Sequence, residues 1–136
     1  MKYNLMFLLM FLLMISLFAQ TAEIDSLKTV IEKTTGTEEI DAVNMLAKAY
    51  WQVDLELSIE SGNSALKLSE QLNYKKGEAE AIKNIGGAHY FLGDYDIAVE
   101  LFVESLELRK EIGDNTDIIN ALNNLGIVQE SLNNFE

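Results

Sequence analysis

The sequence predicts an all-α fold, a solenoid of helix-turn-helix units preceded by an export signal, and three observations carry that expectation. Proline is absent and glycine numbers only eight, so little interrupts long helices. Beyond residue 20 the apolar residues recur at helical spacing, as in the stripe Ile82, Ile85, His89 and the stripe Ile97, Leu101, Leu108, Ile112 with their immediate neighbours. The chain also repeats itself at a shift of 40 residues. Ala81-Ile82-Lys83-Asn84-Ile85-Gly86 returns as Ala121-Leu122-Asn123-Asn124-Leu125-Gly126, Ala65-Leu66-Lys67-Leu68 returns as Ser105-Leu106-Glu107-Leu108, and Leu72 returns as Ile112. Independent blocks that share one period mark a repeat architecture.

The N-terminal segment sets the compartment. Lys2 is the one charge among the first 20 residues, and Leu5 to Ala19 is an apolar run broken only by Ser16. A basic start followed by a short apolar core is the pattern of a secretory signal, and the run is short against the roughly 20 residues a permanent span takes. Ala19 supplies a small residue at the boundary, followed by polar Gln20, Thr21 and Glu23, so residues 1–19 are expected to be a signal peptide cleaved after Ala19. Leu17 fits the minus-three position less well, and an uncleaved signal anchor is the alternative. Either way the remainder lies outside the cytoplasm, on the periplasmic or extracytoplasmic side of a bacterial membrane.

Residues 20–36 read as a short helix, from about Glu23 to Lys33, and a linker. The repeats fill 37–136, with a degenerate first unit over 37–76, a second over 77–116, and the first helix of a third over 117–136. Gly93-Asp94 makes the turn inside the second unit, with Asp94 placed to cap the following helix, and Gly113-Asp114-Asn115-Thr116 separates that unit from the next. In the first unit the turn around Asp54 reads as one residue shorter. The last unit stops before a second helix covers it, and because a solenoid needs caps the chain is expected to continue past residue 136.

Composition excludes several function classes. The formal charge of -12 opposes binding to nucleic acid or an anionic membrane surface, and no basic cluster exceeds Lys75-Lys76 or Arg109-Lys110. The absence of cysteine removes disulfides, thiolate metal sites, cysteine nucleophiles and an acylated N-terminal cysteine. His89 is the sole histidine and lacks a second ligand one turn away, so it reads as a packing residue and no metal site is expected. Gly86-Gly87 follows no strand and lacks phosphate-loop spacing. Asp94 with Asp96 and Glu100 with Glu104 read as caps and solvated surface. Neither catalytic residues nor a cofactor are expected.

Asn84-Ile85-Gly86, Ala88, Gly93-Asp94-Tyr95, Ala98, Phe102 and Ser105-Leu106 together resemble the tetratricopeptide repeat, over roughly residues 38 to 136. The resemblance implies a right-handed solenoid. It places small residues where helices approach closely, here Gly86 and Ala98, and large ones, here Tyr95 and Phe102, to fill the space between. The third unit keeps Leu122, Leu125, Gly126 and Phe135. The first keeps Leu46, Ala47, Tyr50, Ala65 and Leu66 but carries Ser58 where alanine is usual.

The resemblance further implies that the first helix of each unit lines a concave groove holding a protein or peptide. It puts Asn44, Lys48, Trp51 and Gln52 on that face in the first unit, Lys83, Asn84, Gly87, Tyr90 and Phe91 in the second, and Asn120, Asn123, Asn124 and Ile127 in the third. Asparagine amides suit a peptide backbone and the aromatics suit apolar contact; local inter-helix bonding is the competing use of Asn84 and Asn124. Only Lys48 and Lys83 are available to grip a terminal carboxylate. The mixture of leader, short helix, degenerate first unit and 40-residue units looks closest to the exported N-terminal regions of bacterial signalling proteins, such as sensor histidine kinases. A stand-alone secreted scaffold and the non-catalytic part of an exported enzyme are the alternatives. Contact with a membrane is expected only through the leader or a further segment.

Overall fold

The computed structural model describes residues 2–133, within which there are six α-helices: α1 Lys2–Ile31, α2 Thr37–Ala49, α3 Leu55–Leu72, α4 Lys75–Leu92, α5 Tyr95–Ile112 and α6 Asn115–Asn133. No strand occurs among the described residues. Consecutive helices pack antiparallel through short turns, and α2 also touches α4, so α2, α4 and α6 form one layer while α3 and α5 form the other. The architecture is that of an all-α solenoid of tetratricopeptide type. Phe135 lies outside the described residues.

The turns follow the 40-residue period and explain where each helix ends. Gly93 (φ 86) and Gly113 (φ 82) adopt the left-handed conformation that closes α4 and α5, and Asn73 (φ 53) does the same for α3 at the position equivalent to Gly113. Val53 stands where Gly93 does, and a β-branched residue resists positive φ; it takes φ -117, and the chain leaves α2 through a 3-10 turn over Tyr50–Gln52. The turn around Asp54 is therefore not shortened, because Asp54 and Asp94 are both N-caps and sit 40 positions apart. What changes is its winding. Asp54 caps α3 by accepting from the Leu57 N–H at 3.0 Å, and Asp114 caps α6 by accepting from the Thr116 and Asp117 N–H groups. Asp94 makes no such bond; its carboxylate is drawn to His89 Nδ1 at 3.1 Å instead.

The helices approach on small residues. Ala65, Ala79, Ala81, Ala88 and Ala98 are fully buried, and Ala98, Phe102 and Leu106 of α5 close over Ala121, Leu125 and Val128 of α6. Ser58 fills the place of Ala98 in the first unit and donates to the Ala47 carbonyl at 2.8 Å, so its hydroxyl is satisfied where burial would otherwise cost about 1–3 kcal/mol. Ser105 likewise donates to the Ala79 carbonyl at 2.7 Å. The stripe expected on α5 is turned by one residue: Ile97 and Ile112 are exposed, and Ala98, Phe102, Ser105, Leu106 and Arg109 face inward.

Helix α1 is continuous across position 19. From Leu5 to Phe18 every residue is exposed, and this half fits a signal peptide, although by length and composition the helix also suffices to cross a membrane. Its other half is part of the fold, since Ile24 and Leu27 bury against Leu46 and Tyr50 of the first unit.

Two helical glycines have opposite surroundings. A Cβ on Gly77 would lie 2.5–2.7 Å from atoms of Tyr74, Ile40 and Ser69, whereas one on Gly126 would meet nothing within 4 Å. Gly77→Ala is expected to destabilise by about 1–3 kcal/mol through overpacking. Gly126→Ala is expected to stabilise by about 0.5–1 kcal/mol through helix propensity alone. Urea denaturation of the two variants checks the contrast, and shifts of the same sign would contradict it.

Candidate functional site

The residues expected to line a groove fall into three groups by their neighbours. Asn44 and Asn84 belong to the first. Asn44 is 3% exposed and donates through Nδ2 to the Gly77 carbonyl at 3.0 Å, and Asn84 is fully buried and donates to the Asn44 carbonyl at 2.9 Å. Both Nδ2 groups are used in joining α2 to α4 and both side chains are buried away from the surface, which corrects the expectation for both. A buried amide must find its partners inside the protein, and the nearest lie on the neighbouring helix.

The second group is an apolar slot of about 170 Å³ lined by Trp51, Gly87, Tyr90, Phe91, Phe102, Asn124, Ile127 and Val128. Trp51 lies over Gly87, where an added Cβ would come within 2.3 Å of the ring, and donates from its indole N–H to the Asn84 carbonyl at 2.9 Å. Gly87 is thus covered rather than open. Phe91 packs against Trp51 at 5.8 Å between ring centroids, and Tyr90 packs against Phe91 and Tyr95 at 5.5 and 5.6 Å. The Tyr90 hydroxyl reaches Ser131 on α6 at 3.3 Å. Phe91 and Ile127 remain 53% and 52% exposed, which leaves apolar surface at the mouth of the slot.

The third group is a polar cleft of about 410 Å³, lined by Lys48, Trp51, Glu80, Lys83, Arg109, Asp117, Asn120, Ala121, Asn123 and Asn124. Trp51 and Asn124 belong to both cavities and form the wall between them. Arg109 is 4% exposed yet comes from the outer layer. It reaches Glu80 on α4 and Asp117 on α6, each at 2.7 Å, and bonds Ser105 on its own helix at 3.3 Å. One guanidinium therefore ties three helices together beneath the cleft. Lys83 is half-buried and paired with Glu80, whereas Lys48 is exposed and, among the described residues, pairs with no carboxylate. Lys83 is thus already neutralised, and Lys48 carries the free positive charge of the cleft.

Gln52, Asn120 and Asn123 are exposed along the rim, Asn124 is half-buried at the wall, and Gln52 lies 3.5 Å from the Gln20 amide of α1. The spacer residues sit as expected in the second unit, with Ala98 fully buried, Phe102 6% exposed and Gly86 pressed against Phe102 and Leu101. Gly126 occupies the equivalent position without a neighbour. The role of Arg109 was missed in the sequence reading, although its position on the stripe Ala98, Phe102, Ser105 and Arg109 is a signal that it points inward.

Residues 77–136 match the sequence model of the family described as tetratricopeptide repeat. No curated protein matches the chain. Over the matched residues α4, α5 and α6 have the helix-turn-helix stacking that the family model describes. Such repeats generally act as scaffolds for protein–protein interaction, typically without catalysis, and they typically bind proteins or peptides.

The charge cluster generates a pH dependence of known sign. Burial raises the affinity of the Glu80 carboxyl for its proton, but Lys83 and Arg109 outweigh burial and hold it below its ordinary value of 4.5. Its ionised form therefore stabilises the fold fully above about pH 4.5, and that contribution disappears as pH falls through the lower folded value. Between about pH 6 and about pH 3, urea midpoints of the wild type should fall more steeply than those of Glu80→Gln. Arg109→Met, which strands Asp117 and leaves Glu80 to Lys83 alone, should cost about 3 kcal/mol at neutral pH. Parallel pH profiles, or a silent Arg109→Met, would contradict the pairing.

Proposed function

We propose that this protein captures a protein or peptide segment in its concave groove outside the cytoplasm, as the input region of a larger exported signal-transduction protein. The observation that carries the groove reading is the apolar slot beside the polar cleft. Monomeric proteins rarely leave aromatic surface open beside convergent amides unless something binds there. Trp51, Tyr90, Phe91 and Ile127 supply contact area at little entropic cost, and Lys48, Asn120, Asn123 and Asn124 supply orientation. Asn44, Asn84 and Lys83 shape the site from within. Export is supported by the exposed apolar half of α1, with Lys2 before it. The signalling role is supported by the combination of leader, degenerate first unit and 40-residue repeats.

The groove is tested by affinity capture from envelope extracts with Phe91→Ser and Ile127→Glu, both at exposed positions, and with Val103→Ser on the outer layer as control. Each groove variant should weaken capture of the wild-type partner by at least about tenfold, or ~1.4 kcal/mol, while Val103→Ser leaves it unchanged. Identical partners recovered by both groove variants would count against the reading. Export is tested separately by sequencing the N-terminus of the envelope-fraction protein. The expected first residue is Gln20, and an intact Met1 would overturn cleavage after Ala19.

A further inference from the structure

The bond expected to be cut during export lies inside a helix that belongs to the fold. Helix α1 runs without a break from Lys2 to Ile31, and helical geometry commits the Ala19 carbonyl to the Glu23 N–H four residues on. One turn past Gln20 the helix is already docked. Ile24 is 6% and Leu27 8% exposed, both in a cluster with Leu46 and Tyr50, and Ile31 packs with Val43 nearer the start of α2. The two helices are therefore antiparallel, which brings Gln20 to the far end of α2. There its amide lies 3.5 Å from Gln52, and the residue is half-buried. No loop separates leader from domain.

Exposure is not the obstacle to a peptidase, since Ala19 itself is exposed. The obstacle is conformation. A peptidase takes its substrate as an extended strand and receives the scissile carbonyl in an oxyanion hole, and a bond held in a helix meets neither requirement. Stretching the chain on both sides of Ala19 would break the Gln20 contact and fray α1 toward Ile24. On the domain side, Ser16, Ala19, Gln20 and Glu23 share one cavity of about 530 Å³ with Trp51 and Gln52, so an enzyme approaching from that side meets the first unit.

We propose that folding of the first unit masks the leader's cleavage site: the Ala19–Gln20 bond is hydrolysed while residues 20–31 are undocked, and a chain whose α1 has settled on α2 keeps its leader and stays tethered to the membrane. The proposal rests on the export reading above. Hydrolysis breaks the C–N bond, with the hydroxyl of water going to the Ala19 carbonyl carbon and its proton to the Gln20 nitrogen. Ile24 and Leu27 lie beyond the cut and dock in either product. Released and tethered chains thus carry the same repeats and differ in their freedom to leave the membrane.

The test uses the full chain in detergent micelles with a purified bacterial signal peptidase, and mass spectrometry reads the new N-terminus. Ile24→Ser combined with Leu27→Ser loosens α1 and leaves Ser16 to Gln20 untouched. Where opening is fast against cutting, the rate follows the population of the open form, so this variant should be cut at least about tenfold faster than the wild type. A second variant, Leu27→Cys with Leu46→Cys, introduces the chain's only cysteines within one buried cluster, and oxidation ties α1 to α2. The oxidised form should be cut at least about tenfold more slowly than the same chain reduced. Main-chain amide spectra show whether the loosened variant keeps its repeats; where it does not, the cysteine pair decides alone. Equal rates of cutting after Ala19 in the oxidised and reduced chains overturn the masking and leave the cleavage reading standing. Failure of the loosened and reduced chains alike to be cut after Ala19 overturns both.

Discussion

The rest of the structure depends on the register between α2 and α4, which is fixed by polar bonds inside a contact made of small residues. Two buried asparagines bond across that contact, Asn84 to the Asn44 carbonyl and Asn44 to the Gly77 carbonyl. Sliding the helices by one residue would strand both amides, each costing about 1–3 kcal/mol when left unpaired in a dry interior. Hydrophobic burial drives the helices together, but a surface rich in alanine and glycine is smooth and specifies register poorly. The polar bonds supply the specificity. Trp51 lies over Gly87 only because that register places glycine beneath it.

A second constraint acts between the layers. The protein carries a formal charge of -12, and much of its outer surface is acidic, yet the groove holds Lys48, Lys83 and Arg109 within one cleft. Arg109 and Lys83 are matched by Glu80 and Asp117, so they stiffen the floor and do not advertise charge. Buried ion pairs of this kind contribute less net stability than their distances suggest, because desolvation offsets the attraction. Their value here is geometric: α6 is held to α4 through a residue of α5, and the slot keeps its width.

The repeat period, the helical class and the turns were legible in the sequence because each has a local cause. Gly93 and Gly113 announce helix ends and a 40-residue self-match needs no structure to be seen, whereas the side-chain cap expected at Asp94 forms at Asp54 and Asp114 instead. The site was legible only in part. Trp51, Tyr90, Phe91, Asn120, Asn123, Asn124 and Ile127 line two adjoining cavities, because position within the unit fixes the face. The roles within that surface were hidden, because identical residues at equivalent positions meet different neighbours: Asn84 is buried against Asn44, while Asn124 stands half-buried at the wall between slot and cleft. Val53 changed the winding of one turn through a single φ angle, and Asp94 gave up its cap to His89. Arg109 was obscured by its charge, which ordinarily places a side chain in water, although its spacing pointed inward.

The proposed groove puts recognition on the inner layer and leaves the outer layer to hold it. Chemical-shift mapping on the intact chain with a peptide selected from a displayed library tests it most directly. Perturbations should concentrate at Trp51, Phe91, Asn124 and Ile127, with the outer faces of α3 and α5 silent. Perturbations centred on α3 and α5, with the Trp51 indole signal unmoved, would contradict it.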